Sequence, residues 1–163
     1  MLNQSRVWRA NETNPVKRYL MEYRALVSRR DALLRELERL RDATTRATGR
    51  IAAVRLSGTP GHGGNEDAIL RVVDGEARLL TVIDHVCEAL VARLYVIESL
   101  TDERHKTLLT LRYIDGLSWE QIGYDMHYER TQVFEIHGRA LTEAQAVMAE
   151  AGSVPAMGEG NDV

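Results

Sequence analysis

A chain of 163 residues holds one domain, or a small domain with an extension. Hydrophobic residues make up 44%, aromatics only 6%, and there are three prolines, a Leu/Ala/Val/Arg/Glu-rich make-up that favours long helices over sheets. The single Cys87 excludes an internal disulfide framework and a cysteine zinc site, and the net charge of −3 excludes a strongly basic nucleic-acid coat.

Residues 1–13 are polar and weakly patterned and are expected to form a flexible arm, with none of the basic, apolar and small-residue order of a signal peptide. Asn14-Pro15 supplies a cap and a first-turn proline, and a helix is predicted from there to about Val54. Its apolar residues recur every seven positions, at Tyr19, Leu26, Leu33, Leu40, Ala47 and Val54. A second line of Val16, Tyr23, Leu37 and Ile51 is interrupted by Arg30 and Thr44, while Leu20, Val27 and Leu34 widen the stripe. The Gly-rich stretch 57–64 is a predicted bend. Asn65 caps a second helix whose stripe runs through Ile69, Val73, Leu80, Ile83, Cys87, Leu90, Leu94 and Ile97, flanked by more valines and leucines. One partner helix cannot cover that much apolar surface, so residues 14–100 are read as an antiparallel, coiled-coil-like hairpin and as the oligomerisation region of a homodimer or larger homo-oligomer. No apolar run is long enough to span a membrane; Arg93 interrupts the longest, from Cys87 to Ile97.

Charge is unevenly spread. Residues 1–56 carry thirteen Lys/Arg against six acids, while residues 102–149 carry five against eight. A mildly acidic C-terminal region weighs against tight autonomous binding to DNA, because phosphate neutralisation supplies most non-specific affinity.

Residues 101–149 read as three helical pieces. A support helix is capped by Thr101, has Asp102 and Glu103 in its first turn, and is predicted to bury Leu108, Leu111 and Ile114. Ser118 and Gln121 fit a capping box at the start of a short second helix. Ile122 and Met126 face the core with Leu117, Val133, Ile136 and Leu141, and Gly123 marks a close helix crossing. Trp119 is expected to pack against Tyr113 and the support helix. His127 falls at a turn position that calls for left-handed dihedrals, and Glu129 stands where a Ser or Asp cap is usual. The last helix is predicted to reach about Ala149, with a disordered tail over 150–163.

The run Leu111-Arg112-Tyr113-Ile114-Asp115-Gly116-Leu117-Ser118-Trp119-Glu120-Gln121-Ile122-Gly123, with its spacing to Gln132-Val133-Phe134-Glu135-Ile136-His137-Gly138-Arg139-Ala140-Leu141, resembles region 4 of sigma-70-type factors. The Ile-His-Gly-Arg-Ala-Leu ending resembles more closely a small phage and prophage family of region-4-like proteins, related in style to the RinA and ArpU late-gene regulators. The motif covers about a quarter of the chain. The resemblance implies an all-α protein with a three-helix helix-turn-helix unit at 101–149, the second motif helix entering the major groove of double-stranded DNA. By position, the DNA-facing residues would be Arg130, Thr131, Phe134 and Glu135. Arg130 would read guanine or hold phosphate, Thr131 touch a thymine methyl and Glu135 accept from cytosine. Gln132 beside them would pair with adenine from an outward rotamer, and Arg139 and His137 would touch phosphate or close the fold. The implied activity is transcription regulation in the bacterial cytoplasm. An alternative stays open: the same unit would dock on RNA polymerase or another phage component without reading DNA.

Other chemistries find no constellation. The Gly-rich bend lacks the Lys-Ser/Thr of a phosphate loop. The five histidines show no metal-ligand spacing, Cys87 is placed in the core, and no carboxylate pair is held in a pocket. The expectation is a non-enzymatic protein with no cofactor and no metal.

Overall fold

The computed structural model describes residues 14–57 and 64–153. The arm 1–13, most of the Gly-rich bend and the tail from 154 lie outside the described residues. Within them the regular structure is all helical: α1 Pro15–Met21, α2 Tyr23–Leu56, α3 Gly64–Glu98, α4 Glu103–Leu109 running into a π-helical turn Thr110–Ile114, α5 Trp119–Met126 and α6 Arg130–Ser153. The all-α class is as expected. Residues 150–153, expected in the disordered tail, are helical because α6 still rests Ala144, Val147 and Met148 on the core just before them.

The described residues form two compact units, one of 14–25 with 91–153 and the other of 26–57 with 64–90. The division expected at residue 100 is therefore displaced. Val16 and Leu20 of α1, and Val96, Ile97 and Leu100 at the end of α3, belong to the same buried cluster as the helix-turn-helix.

In that first unit the Asn14 side chain accepts from the Val16 amide at 2.8 Å, and Pro15 opens α1 as its missing donor allows. The single helix expected from 14 to 54 is interrupted at Glu22. Arg93 explains the break: its Nε donates to the Tyr19 carbonyl at 2.9 Å, the acceptor that the Tyr23 amide would use in an unbroken helix. The same guanidinium pairs with Glu22 at 2.5 Å and lies 4.1 Å from the Tyr19 ring centre. Read in the sequence as a break in an apolar run, Arg93 is instead buried and fully engaged.

The support helix is capped by Asp102, which accepts from the Arg104 amide, and not by Thr101. Thr101 gives both its amide and its hydroxyl to Glu143 Oε1, each at 2.6 Å, tying the start of α4 to α6. The predicted buried set of Leu108, Leu111 and Ile114 is also shifted. Leu108, Leu109 and Tyr113 are buried, whereas Leu111 and Ile114 are partly covered. The cause is the π turn, in which the Asp115 amide reaches the Thr110 carbonyl; the wider turn adds a residue and rotates the buried face. Gly116, at φ +76, ends the helix, and a Cβ there would overlap the Arg24 guanidinium.

In the second unit α2 and α3 form the two antiparallel legs of a hairpin joined through 57–63. Arg41 of α2 meets Glu76 of α3 at 2.6 Å. Among the described residues of this unit, Leu37, Ile83, Val86 and Leu90 are buried and apolar. Cys87, placed in the core by its spacing, is half-buried, and His85 is exposed beside Glu88. Among the described residues no helix is long and apolar enough to cross a membrane, and no cluster of His, Cys and acids is arranged to hold a metal ion.

Candidate nucleic-acid interface

Local chemistry builds the corner of the helix-turn-helix. The Ser118 hydroxyl accepts from the Gln121 amide at 3.3 Å, and the Gln121 side chain accepts from the Ser118 amide at 2.9 Å, a reciprocal pair that satisfies two orphan donors at the start of α5. His127 adopts φ 57 and ψ 40, in the left-handed region. Around it the Tyr128 amide reaches the Gly123 carbonyl at 2.9 Å and the His127 amide reaches that of Tyr124 at 3.3 Å, the two-bond closure of a helix that stops abruptly. Gly123 is needed for that closure. A Cβ there would stand 2.9 Å from the Tyr128 carbonyl oxygen and 3.7 Å from Val133.

After the corner, α6 turns one face to the core, with Val133, Ile136, His137, Ala140, Leu141 and Ala144 buried. Ile122 of α5 is fully buried against the same cluster, with Leu117 and Met126 at its edge. Trp119 is structural and meets the support helix as expected, but through Arg112 and not Tyr113. Its ring lies 4.9 Å from both Phe134 and His137, with Arg112 stacked on it at 4.4 Å. Arg112 is fixed by donating to the Leu117 carbonyl at 2.8 Å. Tyr113 instead meets His137, their hydroxyl and Nε2 sharing a hydrogen bond of 2.9 Å. Burial pushes the Tyr113 phenol up to about 12 and the His137 imidazole down to about 4, with Lys17 and Arg112 adding to the latter. At neutral pH both are uncharged, so His137 belongs to the core and is unavailable to phosphate.

The residues nominated for DNA divide into two groups. Arg130, Thr131, Glu135 and Arg139 are exposed along α6. Phe134 is half-buried under Trp119, and the Arg130 guanidinium lies 5.7 Å from its ring centre, so Phe134 supports that arginine. Gln132 is exposed, yet its side-chain oxygen accepts from the Glu129 amide at 3.1 Å. It satisfies the backbone amide just before α6, as Gln121 does for Ser118, and its carbonyl is directed back along the chain.

Two features near this face have no counterpart in the sequence reading. Arg130 Nη1 stands 3.7 Å from Glu120 Oε1, a loose pair that brings a carboxylate from the first turn of α5 to the head of α6. Tyr124, on α5, is 81% exposed, the largest exposure among the aromatic residues of the unit. With Asp125, Glu129 and Glu135 also exposed, acids interleave with the two arginines over the whole face. On the far side, Glu143 collects the His105 imidazole at 2.5 Å together with both Thr101 donors, and these bonds hold its carboxyl down to about 2. Compared with protein-family models, with curated proteins and with solved structures, the chain matches none of them.

Proposed function

We propose that the chain is a sequence-specific DNA-binding regulator of phage or prophage transcription, a sigma region-4-like binding module and not an enzyme, that acts as a dimer. One observation carries the reading: the short α5 and the longer α6 meet at a left-handed corner, and the first turn of α6 leaves Arg130 and Thr131 open to solvent while its inner face is fixed in the core. That is the arrangement in which a recognition helix presents side chains to base edges. Joining two readers on linked half-sites offsets the weak electrostatics of each, because the second contact becomes intramolecular.

A salt titration of binding to the promoter region upstream of the gene tests it. A direct reader weakens steeply as salt rises. Arg130→Ala then lowers affinity by about 1–3 kcal/mol and relaxes sequence preference at one position. The acids around Arg130, Glu120 first among them, favour a second reading in which the unit docks on RNA polymerase or another phage protein. A docking module would show neither the salt slope nor the loss of sequence preference.

A further inference from the structure

The hairpin unit is neutral in sum, with ten arginines and ten acids over residues 26–57 and 64–90, yet its charges are sorted by side. Leu33, Leu37 and Leu40 of α2 turn toward α3. At about 100° per residue, the third of α2 that runs from its outward side round to one flank holds Arg29, Arg35, Arg39, Arg46 and Arg50, all exposed. Between Ser28 and Arg50 that arc carries one acid, Glu36, and otherwise only Ala and Ser. Asp31, Glu38 and Asp42 lie beyond its outer edge. On α3, Arg71 and Arg78 stand one residue before Val72 and Leu79, which turn toward α2, just as Arg39 stands one before Leu40. Because α2 and α3 run in opposite directions, a backward step on each rotates toward the same flank. Arg71 and Arg78, both exposed, therefore join the arginines of α2, with Asp67 and Asp74 at their rim. The pair of Arg41 with Glu76 sets the levels, placing Arg39 opposite Arg78 and Arg46 opposite Arg71. This surface carries four positive charges in excess within a neutral unit.

Ion pairing singles out the same arginines. Arg30 and Arg41, off this surface, are held by Asp31 at 2.8 Å and Glu76 at 2.6 Å. Of the seven on it, only Arg39 is in an ion pair among the described residues, with the exposed Glu36 at 2.9 Å. Arg46 and Arg71 give Nε to the backbone carbonyls of Asp42 and Asp67, each at 3.2 Å. We infer that this surface lies along the phosphate backbone of double-stranded DNA, as a second contact that reads no sequence. The five arginines of α2 extend over roughly 30 Å, close to one turn of a duplex. A guanidinium grips phosphate through two parallel bonds, and no lysine stands in the unit. The alanines between the arginines leave room for a phosphate strand to approach the helix. The inference rests on the reading of the chain as a DNA-binding protein and adds what that reading lacks. The helix-turn-helix is mildly acidic, whereas phosphate neutralisation supplies most non-specific affinity.

The test is binding of the full chain to a random-sequence duplex of about three turns over a salt series, read by fluorescence anisotropy. The wild type is expected to bind, with affinity falling steeply as salt rises. Arg39→Gln combined with Arg46→Gln should weaken binding by about tenfold or more and flatten the slope of log affinity against log salt by about 2. Glu36→Gln should do the reverse and tighten binding, a gain that no folding defect produces. Glu38→Gln, outside the arc, should change affinity less than Glu36→Gln does, with helicity by circular dichroism equal in all variants. A wild type that leaves the random duplex unbound, an unchanged slope in the double variant, or no gain in Glu36→Gln overturns the inference. An unchanged slope is also what a surface serving an acidic protein partner would give. Arg130→Ala should keep the slope on the random duplex within about 1 of the wild type while losing preference for the promoter region. If that preference survives Arg130→Ala, the reading of α6 fails and the phosphate surface stands, so the two failures are told apart.

Discussion

The two units spend apolar residues in opposite ways. The unit containing the helix-turn-helix closes a core around Leu20, Ile97, Leu108, Leu109, Ile122 and Leu141, and even its buried polar pair, Tyr113 and His137, is mutually bonded. The hairpin unit buries Leu37, Ile83, Val86 and Leu90, yet leaves Leu34, Leu70, Val73 and Leu80 open. A helix-turn-helix must hold its exposed face by packing the other side, so it closes a core within a single chain, although Met21, Val91 and Tyr95 of the same unit stay exposed. A two-helix hairpin has only one internal seam, and further apolar residues on it find cover only from outside.

The contrast is sharpest at a pair of leucines. Leu108 is fully buried, and Leu108→Ala should lower stability by about 2–5 kcal/mol through lost transfer energy and the cavity left behind. Leu80→Ala should cost less than about 1 kcal/mol in dilute solution, since the side chain is already 38% exposed. Urea unfolding followed by circular dichroism separates them. Equal losses at both sites would abolish the distinction between a closed and an open unit.

Protonation provides the next break. His137 is pushed down from its ordinary 6.5 to about 4 by burial, so the unfolded chain binds this proton more readily than the folded one. Stability is therefore fully present above pH 6.5 and is lost as pH falls toward 4, by about 3 kcal/mol over the window. Glu143 acts in a lower range, from 4.5 down to about 2. The loss should fall on the unit containing His137 and should vanish in His137→Phe, whose unfolding midpoint would no longer move between pH 7 and pH 5. A wild-type midpoint insensitive to that interval would place a charged imidazole in the core and contradict the packing around Trp119.

Legibility in the sequence followed the range of the interaction. The Ser118–Gln121 capping box, the left-handed His127 and the close approach at Gly123 are set within a few residues, and each is found where local rules placed it. Features decided across the fold were not legible. The break at Glu22 depends on Arg93, 71 residues away, capturing the Tyr19 carbonyl. The buried face of the support helix depends on a π turn that no propensity scale marks, and the capture of Thr101 on Glu143, which left Asp102 as the cap. For the candidate interface, the exposure of Arg130, Thr131, Glu135 and Arg139 agrees with their helical spacing. The bond from the Glu129 amide to Gln132 is as local as that from Ser118 to Gln121, whereas the approach of Glu120 does not follow from spacing, because it depends on the angle at which α5 and α6 meet.

That angle is held by His127, the site of the smallest expected effect. The left-handed region is unfavourable for a residue with a Cβ by about 1–2 kcal/mol, and glycine removes that term. Glycine also widens the unfolded ensemble, which takes back part of the gain. The His127 side chain is exposed, so no packing is sacrificed. His127→Gly should thus stabilise the helix-turn-helix unit by about 0.5–1 kcal/mol, read as a higher urea midpoint with an unchanged slope. The substitution keeps the amide that bonds to the Tyr124 carbonyl and so should preserve the corner. A loss of stability would mean that the imidazole holds the corner by a contact of its own. The turn would then be a built constraint on the presentation of Arg130, and not a strained residue that the core of this unit is strong enough to carry.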